Sequence, residues 1–207
     1  MTTHAESGDL HSPYRFDRGY RLGGGYLSPS GHALYVNIPK NASTSFQRLL
    51  LPNGFRYTTA HRVRPVPPGV TVFAVVREPF ARWKSAMLEY AGRLEQLYPV
   101  EEFVDAQLAL LRSGGYEPLD EHLTPQCTFL LPTMPVERWL RFEHLDNDYG
   151  ALAAELGLPP RVRHHHRAPS READLLAGKI TSADRAAVLG YYSEDVRLYE
   201  RVAASFA

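Results

Sequence analysis

Twice along this chain a short β-prone run empties into a polar turn and then into a helical pattern, and that repetition constrains the fold more than any other feature. The first unit is ALYVNI at 33–38, followed by PKNASTS and then FQRLLL. The second is TVFAVV at 71–76, followed by REPFARWKSAMLEYAGRL. Pro79 suits the first turn of a helix, where a missing N–H costs nothing. Phe80, Trp83, Met87 and Tyr90 recur at helical spacing, and Ala86, Leu88 and Leu94 broaden that face. Two strand–turn–helix units predict an α/β fold with a central parallel sheet flanked by helices.

The rest of the chain extends the pattern. Residues 100–112, VEEFVDAQLALLR, read as an amphipathic helix ended by Ser113-Gly114-Gly115. Residues 136–142, VERWLRF, predict a third strand, and EHLDNDYGALAAELGL predicts a helix stopped near Gly157 and Pro159. The stretch 160–171, PRVRHHHRAPSR, is basic and punctuated by proline, hence a loop. Two helices close the chain, SADRAAVLGYY and SEDVRLYERVAASF, with Ser182 and Ser193 as N-caps because acidic residues follow in each first turn. A length of 207 residues suits one domain with a substantial core, over 21–207, behind a polar tail at 1–20.

Charge and cysteine usage narrow the partners. Lys+Arg and Asp+Glu both number 23, so nothing in the net charge attracts nucleic acid or an anionic membrane surface, and no nucleic-acid partner is expected. Cys127 is the single cysteine, which excludes an intrachain disulfide and a cysteine-only zinc site. The N-terminal segment has no apolar stretch of the signal-peptide kind, and no later run approaches the roughly 20 residues of a membrane span. With one cysteine and no export signal, the cytoplasm is the expected compartment.

The segment IPKNASTS at 38–45 carries the strongest chemical signal. A strand ends, the backbone turns, and a helix begins with free N–H groups facing the turn. Such a junction binds oxyanions, and Lys40 adds a positive charge beside it. Ser43, Thr44 and Ser45 supply hydroxyls. It is not a Walker A loop, because no glycine occurs in 38–45. Without an anion the same segment is a polar turn with a solvated lysine. The glycine-rich LGGGYLSPSG at 22–31 precedes its strand rather than following it, and reads as a flexible entry loop. Arg77 lies where the second strand gives way to its helix, at the carboxyl edge where ligands of such sheets bind, with Ser85 about two turns on. Its planar donor fork suits phosphate, although alone it would read as a surface ion pair with Glu78.

Together, YVNIPKNASTSF and VVREPFARWKSAM resemble the two nucleotide motifs of sulfotransferases that use 3′-phosphoadenosine 5′-phosphosulfate (PAPS). The resemblance is closest to the carbohydrate branch, which includes the heparan sulfate 2-O- and 6-O-sulfotransferases and the HNK-1-type enzymes. HLTPQC at 122–127 is similar to that family's HxxPQ segment, RFEHLDNDYGALAAELGL to its late helix, and YYSEDVRLYERV to its closing helix. The likeness covers roughly 33–205. It implies a P-loop-like three-layer domain that moves a sulfuryl group from PAPS to a hydroxyl-bearing acceptor, leaving 3′-phosphoadenosine 5′-phosphate (PAP). Carried over, Lys40 would contact the phosphosulfate and stabilise the leaving phosphate. Asn41, Ala42, Ser43, Thr44 and Ser45 would cradle the 5′-phosphate, and Arg77 and Ser85 would bind the 3′-phosphate. Arg163, Arg167 and Ser170 could serve a late loop over the nucleotide.

Sulfuryl transfer also needs a base for the acceptor hydroxyl. The chain has nine histidines. His61, in YTTAHRVRP, leads because a histidine in the equivalent stretch of the heparan sulfate enzymes is the family's base. His122 follows, in the segment that lines the family's acceptor side, and Glu121 or Glu89 could act instead. His144 falls within a predicted helix and reads as structural. The triple His164–His166 invites a metal reading, but adjacent loop residues seldom face one ion and sulfuryl transfer needs no metal, so none is expected. Two other classes compete, a P-loop nucleotide kinase and a non-catalytic PAP-binding module. The zero net charge and short chain favour a small glycan, glycolipid or secondary metabolite as acceptor over a long polyanion.

Overall fold

The computed structural model describes residues 24–59, 66–94, 99–131, 135–163 and 178–206. The 1–20 tail, His61, Arg167, Ser170 and the triple histidine lie outside them. The α/β expectation holds. One five-stranded sheet contains β1 (Gly25–Leu27), β2 (Ala33–Val36), β3 (Arg56–Thr58), β4 (Thr71–Val76) and β5 (Arg138–Arg141), in the order β3-β1-β2-β4-β5. The α-helices among the described residues are α1 (Ser43–Leu50), α2 (Pro79–Leu94), α3 (Val100–Ser113), α4 (Leu145–Leu156), α5 (Ser182–Tyr191) and α6 (Ser193–Ala204).

The expectation of a parallel sheet is corrected to a mixed one. β2, β4 and β5 run parallel, with Val36 opposite Ala74 and Val76 opposite Arg141. β1 pairs antiparallel with both β2 and β3. Only Ser28 through His32 join β1 to β2, which is too short for a crossover and forces a hairpin. Ser28 closes it, its Oγ accepting from the Ala33 N–H at 3.0 Å and its own N–H donating to the Ala33 carbonyl at 2.8 Å. The glycine-rich stretch is therefore no flexible loop at its centre, because Gly25 opens β1. A Cβ at Gly25 would lie 2.0 Å from the Tyr35 carbonyl oxygen, so the two strands require glycine there.

Alternation along the parallel strands divides the core. Tyr35, Phe73, Val75 and Leu140 pack with Phe46 and Leu50 of α1 and with Tyr149 and Leu152 of α4. Leu34, Val36, Val72 and Ala74 gather Ile38 and Phe129, and Val76 meets Leu198 and Val202 of α6. β4 is buried from Val72 to Val76, as its unbroken apolar run demands of a central parallel strand. A separate cluster joins Trp83 and Met87 of α2 to Val104 and Leu108 of α3 and Val188 of α5. The helix boundaries follow the sequence expectation closely, including Gly114 and Gly157 at positive φ after α3 and α4. The two proposed N-caps do not hold. Thr181, one residue before Ser182, caps α5 in a reciprocal box with Asp184. Tyr192 precedes α6, and no side chain caps it. No described helix is long and apolar enough to cross a membrane.

Candidate functional site

Parallel β2 and β4 end side by side, so the turns after them meet at one edge of the sheet. The turn after β2 is backbone-strained. Lys40 has φ 69° and Ala42 has φ 60°, left-handed values that non-glycine residues seldom take. Ala42 precedes α1 and offers no side-chain cap, and the first turn of α1 carries no acid. The first helical bond runs from the Phe46 N–H to the Ala42 carbonyl at 2.9 Å. The amides of Ser43, Thr44 and Ser45 consequently have no carbonyl one turn back, and the positive end of the helix faces the turn.

What holds the strained turn is the neighbouring strand. Asn41 is fully buried, and its Nδ2 donates to the Val75 carbonyl at 2.8 Å and to Gln126 Oε1 at 2.7 Å. Gln126 Oε1 also accepts from the Arg77 N–H at 3.2 Å, and Gln126 Nε2 donates to the Arg77 carbonyl at 2.8 Å. Arg77 closes the circuit by donating from Nη1 to the Lys40 carbonyl at 2.9 Å. Arg82 is buried beneath, donating from Nε to the Pro39 carbonyl at 3.1 Å and from Nη1 to the Thr124 carbonyl at 2.7 Å. Asp195 of α6, fully buried, accepts from the N–H groups of Gln126 and Cys127 at 2.8 and 2.9 Å. Burial pushes the Asp195 carboxyl up, while Arg82 and those two amides oppose the shift.

Arg77 is not the surface ion pair that its sequence context alone suggested. Its guanidinium lies 4.0 Å from the centre of the Phe142 ring, and its buried Nε has no hydrogen-bond partner among the described residues. Burial is the largest influence on it and pushes its pKa down to about 10, with Glu143 pulling the other way. A buried donor aimed at no protein acceptor fits an anionic ligand.

Lys40 extends toward a second set of charges. Its Nζ donates to Glu89 Oε2 at 2.7 Å. Burial holds the ammonium below the ordinary lysine value, and the bond to Glu89 offsets that only in part. Glu89 Oε1 lies 3.8 Å from His122 Nε2. His122 Nδ1 is 3.0 Å from Asp120 Oδ2, and the His122 N–H donates to Asp120 Oδ1 at 2.7 Å. Burial alone would raise the Asp120 carboxyl, but the bonds from His122 and Tyr90 outweigh it and hold the group below the usual carboxylate value. An ionised Asp120 keeps the proton on Nδ1 and leaves Nε2 as the basic nitrogen.

The sequence-predicted residues thus divide. Lys40, Asn41, Ala42, Ser43, Thr44, Ser45 and Arg77 meet at one edge, Glu89 bonds to Lys40, His122 lies beside Glu89, and Glu121 lies beside His122. Ser85 is half-buried in the second turn of α2. Arg163 is exposed beyond Val162, which packs in the core, and no contact among the described residues joins it to this edge. His144 is exposed at the start of α4 rather than within it. The possible ligand atoms of Asp120, Glu121 and His122 lie within 4.8 Å of one another. A cation there would compete for the Asp120 carboxylate that His122 Nδ1 meets at 3.0 Å. Arg82, Asp120, Gln126 and Asp195 carry the site's architecture without having been singled out from sequence. Arg82, Gln126 and Asp195 do fall inside three of the quoted family segments. No family model matches the chain, and neither a curated protein nor a solved structure is significantly similar to it.

Proposed function

We propose that this protein is a PAPS-dependent sulfotransferase of the carbohydrate type, with a P-loop-like three-layer architecture. The observation that carries the reading is the joining of two anion-suited junctions at adjacent ends of β2 and β4. One is the uncapped start of α1 beside Lys40, and the other is Arg77 with its unpartnered Nε. Two such sites on one edge match a ligand with two separated phosphates. That separates PAPS from ATP-like nucleotides, whose phosphates form one chain.

In this reading the α1 amides and the hydroxyls of Ser43, Thr44 and Ser45 hold the 5′-phosphate, and Arg77 with Ser85 holds the 3′-phosphate. The acceptor oxygen attacks sulfur in line, and its bond to sulfur forms as the sulfur–oxygen bond to the 5′-phosphate breaks. Lys40 neutralises the charge that grows on that phosphate. His122 Nε2 takes the acceptor's proton, with Asp120 holding the ring and stabilising the imidazolium. Glu89 links the two groups, accepting from Lys40 in the free protein and lying beside Nε2. His61 is the other candidate base. The acceptor is a hydroxyl of a small glycan, glycolipid or secondary metabolite.

Calorimetry with PAP and ATP, followed by transfer from labelled PAPS to mixed hydroxyl acceptors, tests the reading. Tight PAP binding and labelled product are expected. ATP bound in preference to PAP would instead support a phosphotransferase, and PAP binding without transfer to any acceptor would support a binding module.

A further inference from the structure

The Gln126 side chain touches neither junction from the solvent side, yet it bonds to both. It is fully buried, its carbonyl oxygen accepts from Asn41 Nδ2 and from the Arg77 N–H, and its amide nitrogen donates to the Arg77 carbonyl. Asn41 lies between the two left-handed residues of the first turn, and Arg77 begins the second. The backbone of Gln126 is fixed in turn by the Asp195 carboxylate, and the preceding Thr124 carbonyl by Arg82. A side chain satisfied at three points, and fixed at its root, has one rotamer in which all three bonds exist.

We propose that Gln126 is a positioning residue that locks the Lys40 turn and the Arg77 turn into one unit, so that the two phosphates of a single ligand are read together. This rests on the PAPS reading. Its consequence is a specific pattern of affinities. A ligand with both phosphates profits from the fixed distance between the turns, whereas a ligand with one phosphate needs only its own turn.

The test is calorimetry on wild type and Gln126→Met with three probes: adenosine 3′,5′-bisphosphate, adenosine 5′-monophosphate and adenosine 3′-monophosphate. Methionine conserves length and removes all three hydrogen bonds. Wild type should bind the bisphosphate tightest. The variant should lose roughly 5–150-fold on the bisphosphate, the usual span of coupling between two sites, and distinctly less on either monophosphate. Gln126→Asn keeps the amide but is one methylene too short to span the turns, and it should lose the same preference while folding more readily. A folded variant with wild-type bisphosphate affinity would overturn the proposal. So would equal losses on all three probes, because a merely structural residue would loosen both turns without discriminating. Wild type that fails to bind the bisphosphate would sink the PAPS reading itself, and this proposal with it.

Discussion

The two strand-to-helix junctions differ in what their helices already hold. The start of α1 has no side-chain cap and no acid in its first turn. The start of α2 is answered from within, since Glu78 Oε2 accepts from the Ala81 N–H at 2.6 Å and Glu143 Oε1 accepts from the Glu78 N–H at 3.0 Å. An open helix end can take its negative charge from a ligand, but a carboxylate-capped one has been satisfied. In the proposed reading, anion binding at the second junction therefore rests on the Arg77 guanidinium rather than on the helix. The first junction also carries the Lys40–Glu89–His122–Asp120 series of contacts, whereas the charged groups that act on Arg77 at the second include Glu78 and Glu143. In the same proposed reading, chemistry belongs to the first junction and affinity to the second.

Four substitutions and one control can break or sharpen that division. His122→Ala should lower kcat by ~10²–10⁴, the worth of a positioned base, and leave PAP affinity nearly unchanged. His61→Ala is its control, and transfer abolished by His61→Ala but retained in His122→Ala would move the base to His61. Lys40→Ala should lower kcat by ~10²–10³ with a smaller loss of PAP affinity, because its charge is needed most as the bond to the leaving phosphate breaks. Near-wild-type turnover in this variant would remove Lys40 from the chemistry.

Arg77→Ala should act the other way, weakening PAP binding by about 1.5–3 kcal/mol, the range for hydrogen bonds to charged groups. Because Arg77 Nη1 also bonds to the Lys40 carbonyl, adenosine 5′-phosphosulfate should lose some affinity too, although less than PAP. Equal losses on the two ligands would place Arg77 away from the 3′-phosphate.

These assignments draw unequally on local sequence. β4 and α2 were legible because an unbroken apolar run and a helical stripe are signals carried by a few neighbouring residues. β1 and β3 were not, since each has three residues and β1 opens on a glycine, so pairing rather than propensity makes them strands. Thr181 and Ser182 are both able to cap, and only the reach of Asp184 back to the Thr181 N–H decides between them. Lys40 and Arg77 stood out because both follow apolar strands. The bonds that organise them span long separations, 85 residues from Asn41 to Gln126 and 69 from Gln126 to Asp195. No local pattern signals that a glutamine, an arginine and an aspartate will be buried under one loop. Their order within the quoted segments was visible, and their function as a clamp was not.

Glu78→Ala is the smallest expected effect and the one that addresses the comparison most directly. Removing the carboxylate frees the Ala81 amide and takes away the cap, at a cost near 1 kcal/mol, or roughly 2–4 °C in Tm for a chain of this size. The same carboxylate is one of the acids whose field favours the Arg77 cation, with Glu143 the stronger. It must therefore repel a phosphate placed against that guanidinium. The variant should be less stable and yet bind PAP more tightly, by ~0.3–1 kcal/mol at low ionic strength, with the gain shrinking as salt is added. Adenosine 5′-monophosphate, which engages only the α1 end, should show no such gain. If PAP binding weakens along with stability, Glu78 holds Arg77 in its binding geometry, and the second junction depends on its cap after all.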